Sequence, residues 1–600
     1  MTLQVPRARG AVRVTVQPPR TGSQRRFSTL VSWIGFVAVG LLVTGCSGPT
    51  GQRGVGTQEP PRLILQITVD QLRGDLLNRY SDRFGDDGFR YLMERGTVYL
   101  DAHHRHANTE TVVGHTTLAT GADPAAHGMV ANVWLDRATS ELTYNVEDPR
   151  YPLLTSGAGV DESSELDPTQ RLARTDGRSP SAILVSTFGD ELSLFYGGQS
   201  KVFGVSVKDR GAITMAGHVG KAFWFSKTAG EFITSSFYYD EPPAWVDTWN
   251  GAGPLSLYDG ASWDLMADHT TYRFPEDDRP FEIDFPGYGR TFPHAYGPAD
   301  SPYFTTLLTL SPAGDDLTLD FAKALIENED LGSDAVPDYL SISFSSTDYV
   351  GHFFGPSSLE SEDNLLRLDR TVAELLRFVD DRVGLDNTLI VLSSDHGGAE
   401  TPGHLSNSGF ETDYVDPDTW DRAAAIGALK ARFVIGEELI TSYAHPYLYL
   451  DRRLIRALGL DQAEVEQAVA EELTRFDGVA LAIASSALRT GNLPDVPIIR
   501  RVLRNYNPSR SGDVYVVFEP NRFINDLDGT VVAASHGSPW RYDTYVPIVF
   551  TGPGVPAQRI SRPVETVDVA VTLALMLGTK PPSGAVGTAL HEVLDGRGRP

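Results

Sequence analysis

Leu63-Ile-Leu-Gln-Ile-Thr-Val69, closed by Asp70 in the run Val69-Asp-Gln-Leu-Arg73, is the stretch on which the fold turns. Seven residues dominated by aliphatic and β-branched side chains, without strict alternation, suit a strand buried on both faces of a parallel sheet. Similar runs recur at 202–207, 339–344, 388–392 and 546–550, and helical patterns fall between them at 85–95, 111–121, 181–196, 315–328, 362–382 and 564–577. This alternation predicts an α/β fold, a three-layer α/β/α sandwich with a mostly parallel sheet. Two stretches break the alternation. Residues 222–312 are dense in aromatics, Pro and Gly, and residues 405–535 hold one helical pattern at 463–476 with strand-like pieces such as 513–518. Both read as insertions capping one folded domain that spans 62–600, since segments beside a rigid sheet commonly shape access to a site.

Composition narrows the chemistry. The chain has 600 residues, 41% of them hydrophobic, a formal charge of −27 and a single cysteine, Cys46. One cysteine forms no intramolecular disulfide and cannot build thiolate zinc sites or iron–sulfur clusters, so any metal must sit on His, Asp and Glu. The acidic balance argues against nucleic acid as a partner, because binding it requires basic surface that displaces phosphate counterions.

The charge is unevenly spread. Residues 1–45 hold six arginines (Arg7, Arg9, Arg13, Arg20, Arg25 and Arg26) and no acid, which leaves −33 on the remainder. An apolar run from Phe27 to Val43 follows, then Thr44-Gly45-Cys46. Basic, apolar and small-residue regions in that order form a secretory signal. The run is shorter than the roughly 20 residues of a membrane span. Residues 47–61 (SGPTGQRGVGTQEPP) contain little that can pack and read as a tether.

Parallel sheets place ligands at the carboxyl ends of their strands. Asp70 ends the first run; Asp348 and His352 follow the 339–344 run; Asp395 and His396 follow the 388–392 run; His536 precedes the last. Asp348 and His352, at i and i+4, face the same way on a helix. Gly397-Gly398 permits the turn that Asp395 and His396 need in order to converge. Three carboxylates and three imidazoles suit zinc or a similar ion, and six ligands divide into two sites of the kind that clamp attacking and leaving oxygens.

In order, Val69-Asp-Gln-Leu-Arg73, Thr111-Val-Val-Gly-His-Thr-Thr117, Asn132-Val-Trp134, Val207-Lys-Asp-Arg-Gly211, Ser346-Thr-Asp-Tyr-Val-Gly-His352, Ser393-Ser-Asp-His-Gly-Gly398 and Ser535-His-Gly-Ser538 resemble the alkaline phosphatase superfamily. The match is strongest to bacterial secreted alkaline phosphatases with a threonine nucleophile and a Lys/Arg pair, and it runs from about residue 62 to 577. The resemblance implies a phosphate monoester hydrolase with two zinc ions, one held by Asp348, His352 and His536 and the other by Asp70, Asp395 and His396. It implies Thr111 as nucleophile, and Asn132, Lys208 and Arg210 as substrate-binding residues, with the lysine in the region where other members hold magnesium. A third metal is not expected. Cys46 matches a bacterial lipobox. The chain is therefore expected to be an exported, cell-envelope lipoprotein, periplasmic or outer-membrane anchored, that is monomeric and touches the membrane only through its lipid.

The residues support this reading independently. Thr111 opens a helical pattern, where the positive end of the dipole favours alkoxide and phosphate. Thr109, Thr116 and Thr117 are rivals expected to be structural, and His115 and His127 are expected to be scaffold. Two cations at 208 and 210 favour a dianionic monoester over a diester. The alternatives are a phosphodiesterase or phosphonate hydrolase on the same core, and a lipid-anchored protein that binds phosphorylated ligands without turnover. A formylglycine sulfatase is disfavoured because the x-x-P-x-R sequence nearest its signature begins at Tyr506.

Overall fold

Ten strands form the central sheet of the computed structural model, which describes residues 59–594 apart from 525, 528 and 529. The signal segment, Cys46 and all but the end of the tether lie outside the described residues. In chain order the strands are β1 (Leu63–Val69), β2 (Thr97–His103), β3 (Val202–Ser206), β4 (Lys221–Ser226), β5 (Glu231–Ile233), β6 (Asp338–Phe344), β7 (Thr388–Ser393), β8 (Tyr545–Thr551), β9 (Gln558–Ile560) and β10 (Val564–Glu565). Their spatial order is β9-β2-β8-β7-β1-β6-β3-β4-β5, with β10 also paired to β2. β1 runs parallel to β6 and β7, and β3 and β4 continue the parallel set. β8 runs antiparallel to both of its neighbours, so the sheet is mixed but mostly parallel, as expected.

β1 is buried throughout. Leu63, Leu65, Ile67 and Val69 enter one core, whereas Ile64 enters the core on the opposite face with Tyr339, Leu389 and Val391. Full burial of each such side chain contributes about 1.5–3 kcal/mol. The Gln66 side-chain oxygen accepts a 2.9 Å hydrogen bond from the Tyr339 hydroxyl.

The helices that position the site are α1 (Thr111–Thr120), α2 (Phe188–Phe195), α3 (Asp209–Ala216), α4 (Pro312–Asn328), α5 (Ser346–Phe354), α6 (Leu359–Arg382) and α7 (Asp568–Leu577). α2 starts later than its apolar pattern suggests because Thr187 caps it reciprocally: its side chain accepts from the Asp190 amide, and Asp190 accepts from the Thr187 amide. α1 is buried on every side and packs on α3.

The two capping segments behave differently. The first does not begin as an insertion at residue 222, because β4 and β5 extend the central sheet. Its aromatics Trp263, Tyr272, Tyr288 and Tyr296 are buried in the same core as β1, so they fill the domain and leave no exposed aromatic surface of their own. The second segment builds a separate four-stranded sheet, ordered Ile440–Ala444, Tyr447–Leu450, Val514–Phe518, Val479–Ala484. Val465, Val469 and Leu473 of helix Gln462–Leu473 pack with Val516 and Phe518 in a core of its own.

Candidate active site

The register of the sheet sets the candidate ligands level. Val69 lies opposite Phe344 and Thr68 opposite Ser393, so the chain leaves β1, β6 and β7 at one edge. Asp70 stays bound to that edge through its amide, which donates to the Phe344 carbonyl at 2.9 Å. The next residue, Gln71, takes a φ of 64°. Two hydrogen bonds hold it in this left-handed conformation: its amide donates to Asp395 Oδ1 at 3.2 Å and its Nε2 to Asp348 Oδ1 at 2.8 Å. Gln71 thus joins the two carboxylates, a role its sequence context did not signal.

α5 carries Asp348 and His352 one turn apart, with Nε2 3.3 Å from Oδ1. Beyond β7, Gly397 passes so close to the Tyr542 carbonyl that a Cβ would lie 2.1 Å from it. This close approach lets Asp395 and His396 turn inward together. All three imidazoles are oriented alike. Nδ1 of His352, His396 and His536 bonds the carbonyl of Ala534, Gly397 and Thr109 at 2.8, 2.9 and 2.9 Å. The Nδ1–H donates in each case, so each Nε2 presents its lone pair, the arrangement that orients metal-ligating histidines.

These lone pairs face carboxylate oxygens. His396 Nε2 lies 3.3 Å from Asp70 Oδ1 and 3.4 Å from Asp395 Oδ2, and His536 Nε2 lies 3.4 Å from Asp348 Oδ1. His396 Nε2 and Asp70 Oδ1 are buried without a hydrogen-bond partner. Acceptors facing acceptors in a buried site fit a cation between them, so the residues pass the test for a metal centre. One candidate ligand set is Asp70, Asp395 and His396, as the sequence suggests. The other is Asp348, His396 and His536, all within 4.8 Å. His396 enters this second set because its ring stacks on His536 at 3.7 Å between centroids, whereas the His352 ring stands 5.0 Å from His536.

Lys208 is fully buried, its ammonium 2.9 Å from Asp70 Oδ2 and bonded to Asp348 Oδ2. The sequence reading assigned it to substrate; here it bridges a carboxylate of each predicted metal site. Burial opposes its charge, but Asp348 and Asp70 raise its pKa. In return, and against the effect of burial, Lys208 holds Asp348 well below the usual carboxylate range. Without a metal ion, His396 is pushed up to about 9, with burial opposing and the Asp395 and Asp70 carboxylates prevailing, so the cluster draws a cation to Nε2: a proton when the site is metal-free, in whose place a metal ion would bind the lone pair.

Thr111 is the first residue of α1 and is fully buried. Arg210 Nη2 donates to Thr111 Oγ1 at 3.4 Å, while Nη1 is paired with Asp167 Oδ2 at 2.7 Å. Asn132 Oδ1 accepts from the Val112 amide at 3.1 Å, which leaves its amino group as the free donor face. Glu110 fixes this loop, accepting from the Asn132 amide at 3.0 Å and from Asn108 Nδ2 at 2.7 Å. Neither Glu110 nor Asp167 stood out in the sequence, because their partners are set by tertiary packing.

The rival groups have structural partners. Thr109 donates to the Ser538 carbonyl and Thr116 to the Val112 carbonyl, while Thr117 meets His127. His115 spans the Thr111 carbonyl and Ser343 Oγ. Asp209, between the two cations in sequence, pairs instead with Arg178 at 2.7 Å. A cavity of about 180 Å³ opens over the site. Asn132, Arg210, Asp348, His352 and His536 line its polar side, and Tyr443, Phe518 and Phe523 of the second segment form an apolar wall.

Asp/His clusters at the carboxyl edge of a mostly parallel sheet, beside a threonine that opens a buried helix, define a member of the alkaline phosphatase superfamily. The family model described as type I phosphodiesterase / nucleotide pyrophosphatase matches residues 64–539, and the chain belongs to that family. Alkaline phosphatase PafA of Elizabethkingia meningoseptica is 32% identical over 569 residues, covering 93% of this chain and 98% of that protein. A Myroides odoratus protein named calcium-transporting ATPase is 34% identical over 547 residues, covering 90% and 95%. The crystal structure of wild-type PafA superposes with a TM-score of 0.80 at 31% identity, covering 89% of this chain and 99% of that one.

Proposed function

We propose that this enzyme hydrolyses phosphate monoesters through a covalent phosphothreonine on Thr111. The observation that carries the proposal is the Arg210 guanidinium 3.4 Å from Thr111 Oγ1, beside two clusters of Asp and His ligands. Asp348, His352 and His536 would hold one zinc ion and Asp70, Asp395 and His396 a second. Bound there, the ions supply Lewis-acid charge to the entering and leaving oxygens and favour the alkoxide of the nucleophile.

The chain's own groups do the rest. Arg210 and the amino group of Asn132 bind the nonbridging oxygens, and the start of α1 adds a positive dipole end beneath them. Thr111 Oγ1 forms the bond to phosphorus as the ester oxygen departs on the opposite side. Water then attacks the phosphothreonine along the vacated line, returning the hydroxyl and releasing inorganic phosphate. Lys208 acts on this chemistry at one remove, by holding Asp70 and Asp348 ionised and in place.

A single guanidinium at the nucleophile suits a dianionic monoester, so the diesterase reading takes second place. The burial of Trp263, Tyr272, Tyr288 and Tyr296 in the domain core favours a packing role for them over glycan binding or ligand capture. The proposal also includes export as a lipoprotein, with residues 1–45 as signal, Cys46 as the lipid attachment point and a monomeric body. Among the described residues no helix is long and apolar enough to cross a membrane.

The test compares an aryl phosphate monoester with its diester on zinc-loaded enzyme and on Thr111→Ala. Monoester preference, together with loss of both turnover and acid-trapped phosphoprotein in the variant, supports the reading. Full activity in Thr111→Ala, or diester preference in the parent, overturns it.

A further inference from the structure

The cavity over the site has an organic side as well as a phosphate side. Leu166 and Leu172 reach it from the loop around Asp167, and Phe518, Phe523, Ile524 and Val532 from the second capping segment. Tyr443 adds a ring whose polar end is already used: its hydroxyl donates to His445 Nδ1 at 3.1 Å, and His445 Nε2 donates to the Gly537 carbonyl at 2.9 Å. Both groups of apolar residues are fixed relative to the reacting centre. Asp167, next to Leu166, holds Arg210 at 2.7 Å. Just past Val532, the amides of Ala533 and Ala534 donate to the His352 carbonyl at 2.7 and 3.2 Å, and His352 Nδ1 donates back to the Ala534 carbonyl at 2.8 Å.

The charges around the cavity divide into committed and open ones. The buried acids that line it all have partners: Glu110 accepts from Asn132 and Asn108, Asp167 pairs with Arg210, and Asp348 meets Lys208 and Gln71. Asp416 and Asp418 also line it, but both are exposed and so stand at its rim. The Asp416 carboxylate accepts from the Asp418 amide at 3.1 Å and caps the turn Pro417–Arg422. The adjoining Val415 amide donates to the Phe523 carbonyl at 3.0 Å, which sets these acids beside the aromatic wall. Among the described residues that line the cavity, Arg210 is the only lysine or arginine.

We propose that this cavity is the leaving-group subsite and that it selects phosphate monoesters of apolar, aromatic alcohols that carry no second anionic group. The inference rests on the phosphomonoesterase reading above. In-line attack by Thr111 sends the ester oxygen away from the nucleophile, so the organic group of the ester occupies the cavity that Arg210, Asp348, His352 and His536 share with the apolar wall. An aromatic group there leaves water for the rings of Phe518, Phe523 and Tyr443 and gains by the area it buries. A carboxylate or second phosphate on the same group meets Asp416 and Asp418 instead, while the one guanidinium is held by Asp167 and directed at Thr111. The two selections differ in kind. Repulsion at the exposed rim is screened by salt, and contact with the apolar wall is not.

The test measures kcat/KM of the zinc-loaded, full-length enzyme on three monoesters with the same primary alkyl linkage: ethyl phosphate, 2-phenylethyl phosphate and 2-(4-carboxyphenyl)ethyl phosphate. The phenylethyl ester is expected to exceed the ethyl ester by about tenfold. The distal carboxylate is expected to cost about fivefold at low salt and less at high salt. Phe523→Ala should shrink the phenylethyl-to-ethyl ratio, and Leu172→Asn, at a partly exposed position of the other apolar group, is read in the same way should Phe523→Ala not fold. Asp416→Asn/Asp418→Asn should relieve the carboxylate penalty. Turnover of all three esters without preference overturns this inference alone, as does an unchanged ratio in the folded apolar variant or an unchanged penalty in the double variant. Turnover of none overturns the monoesterase reading and this inference with it.

Discussion

Lys208 Nζ stands 2.9 Å from Asp70 Oδ2 in a setting where both side chains are fully buried. The same ammonium bonds Asp348, so one cation bridges residues from the ends of two adjacent strands. Replacing Lys208 with Gln should therefore act first on stability. Removing one partner of a buried ion pair costs about 3–5 kcal/mol, and denaturant unfolding of the metal-free protein should read a loss of that order. Zinc loading should recover part of it, since the ions neutralise the same carboxylates. An unchanged midpoint in the metal-free variant would show that Lys208 serves substrate alone.

Arg210 predicts the opposite balance. Its guanidinium reaches Thr111 and is steadied by Asp167, and its burial is offset chiefly by that carboxylate. Arg210→Ala should lower kcat/KM for an aryl phosphate monoester by about 10²–10³-fold, the range for loss of one donor to a transition-state oxyanion. Hydrolysis of the diester should fall much less. Equal losses on both substrates would refute the assignment of Arg210 to the dianion.

Metal removal should abolish activity and weaken the fold together. The facing acceptors at Asp70 and His396 lose their counter-charge when the ion leaves. Ligand linkage gives about 4 kcal/mol at a thousandfold excess over Kd. A chelator should thus lower the melting temperature as turnover disappears, and zinc should restore both. Retention of full activity after exhaustive chelation would rule out a metal-dependent site.

Acid should unfasten the loop that leads to Asp167. Asp148 is nearly buried, and although burial raises its pKa, hydrogen bonds from Arg150 and Ser179 bring it down to about 2. A depressed carboxylate contributes stability that is complete above its unfolded pKa of 3.8 and is lost as pH falls through about 2. The shift corresponds to at most about 2–3 kcal/mol, and less for the Arg150 part, since that guanidinium is largely exposed. Between pH 5 and 2 the parent should lose stability more steeply than Asp148→Asn. Parallel profiles would remove Asp148 from this role.

The architecture was legible because burial on both faces leaves a local signature. Leu63–Val69 has five aliphatic residues of seven without strict alternation, and the strand ends that follow carry Asp70, Asp395 and His396. The i, i+4 spacing of Asp348 and His352 likewise becomes contact through helix geometry alone. The aromatic stretch from 222 misled where short strands sit among Pro and Gly: Lys221–Ser226 reads as part of a cap, yet it pairs with β3.

Pattern and composition alone show which chemistry is available: six Asp and His side chains at or near strand ends, a threonine opening a helix, no thiolate outside Cys46 and an acidic body. Only the tertiary structure decided where the charges meet. Lys208 lies 140 residues from Asp348 and Arg210 lies 99 from Thr111, and Gln71 reaches Asp348 across 277. Periodicity describes how a segment presents its side chains to its surroundings and carries no record of which distant segment supplies the partner. That choice belongs to sheet order and register, which set the ends of β1, β6 and β7 side by side and turn scattered polar residues into one site.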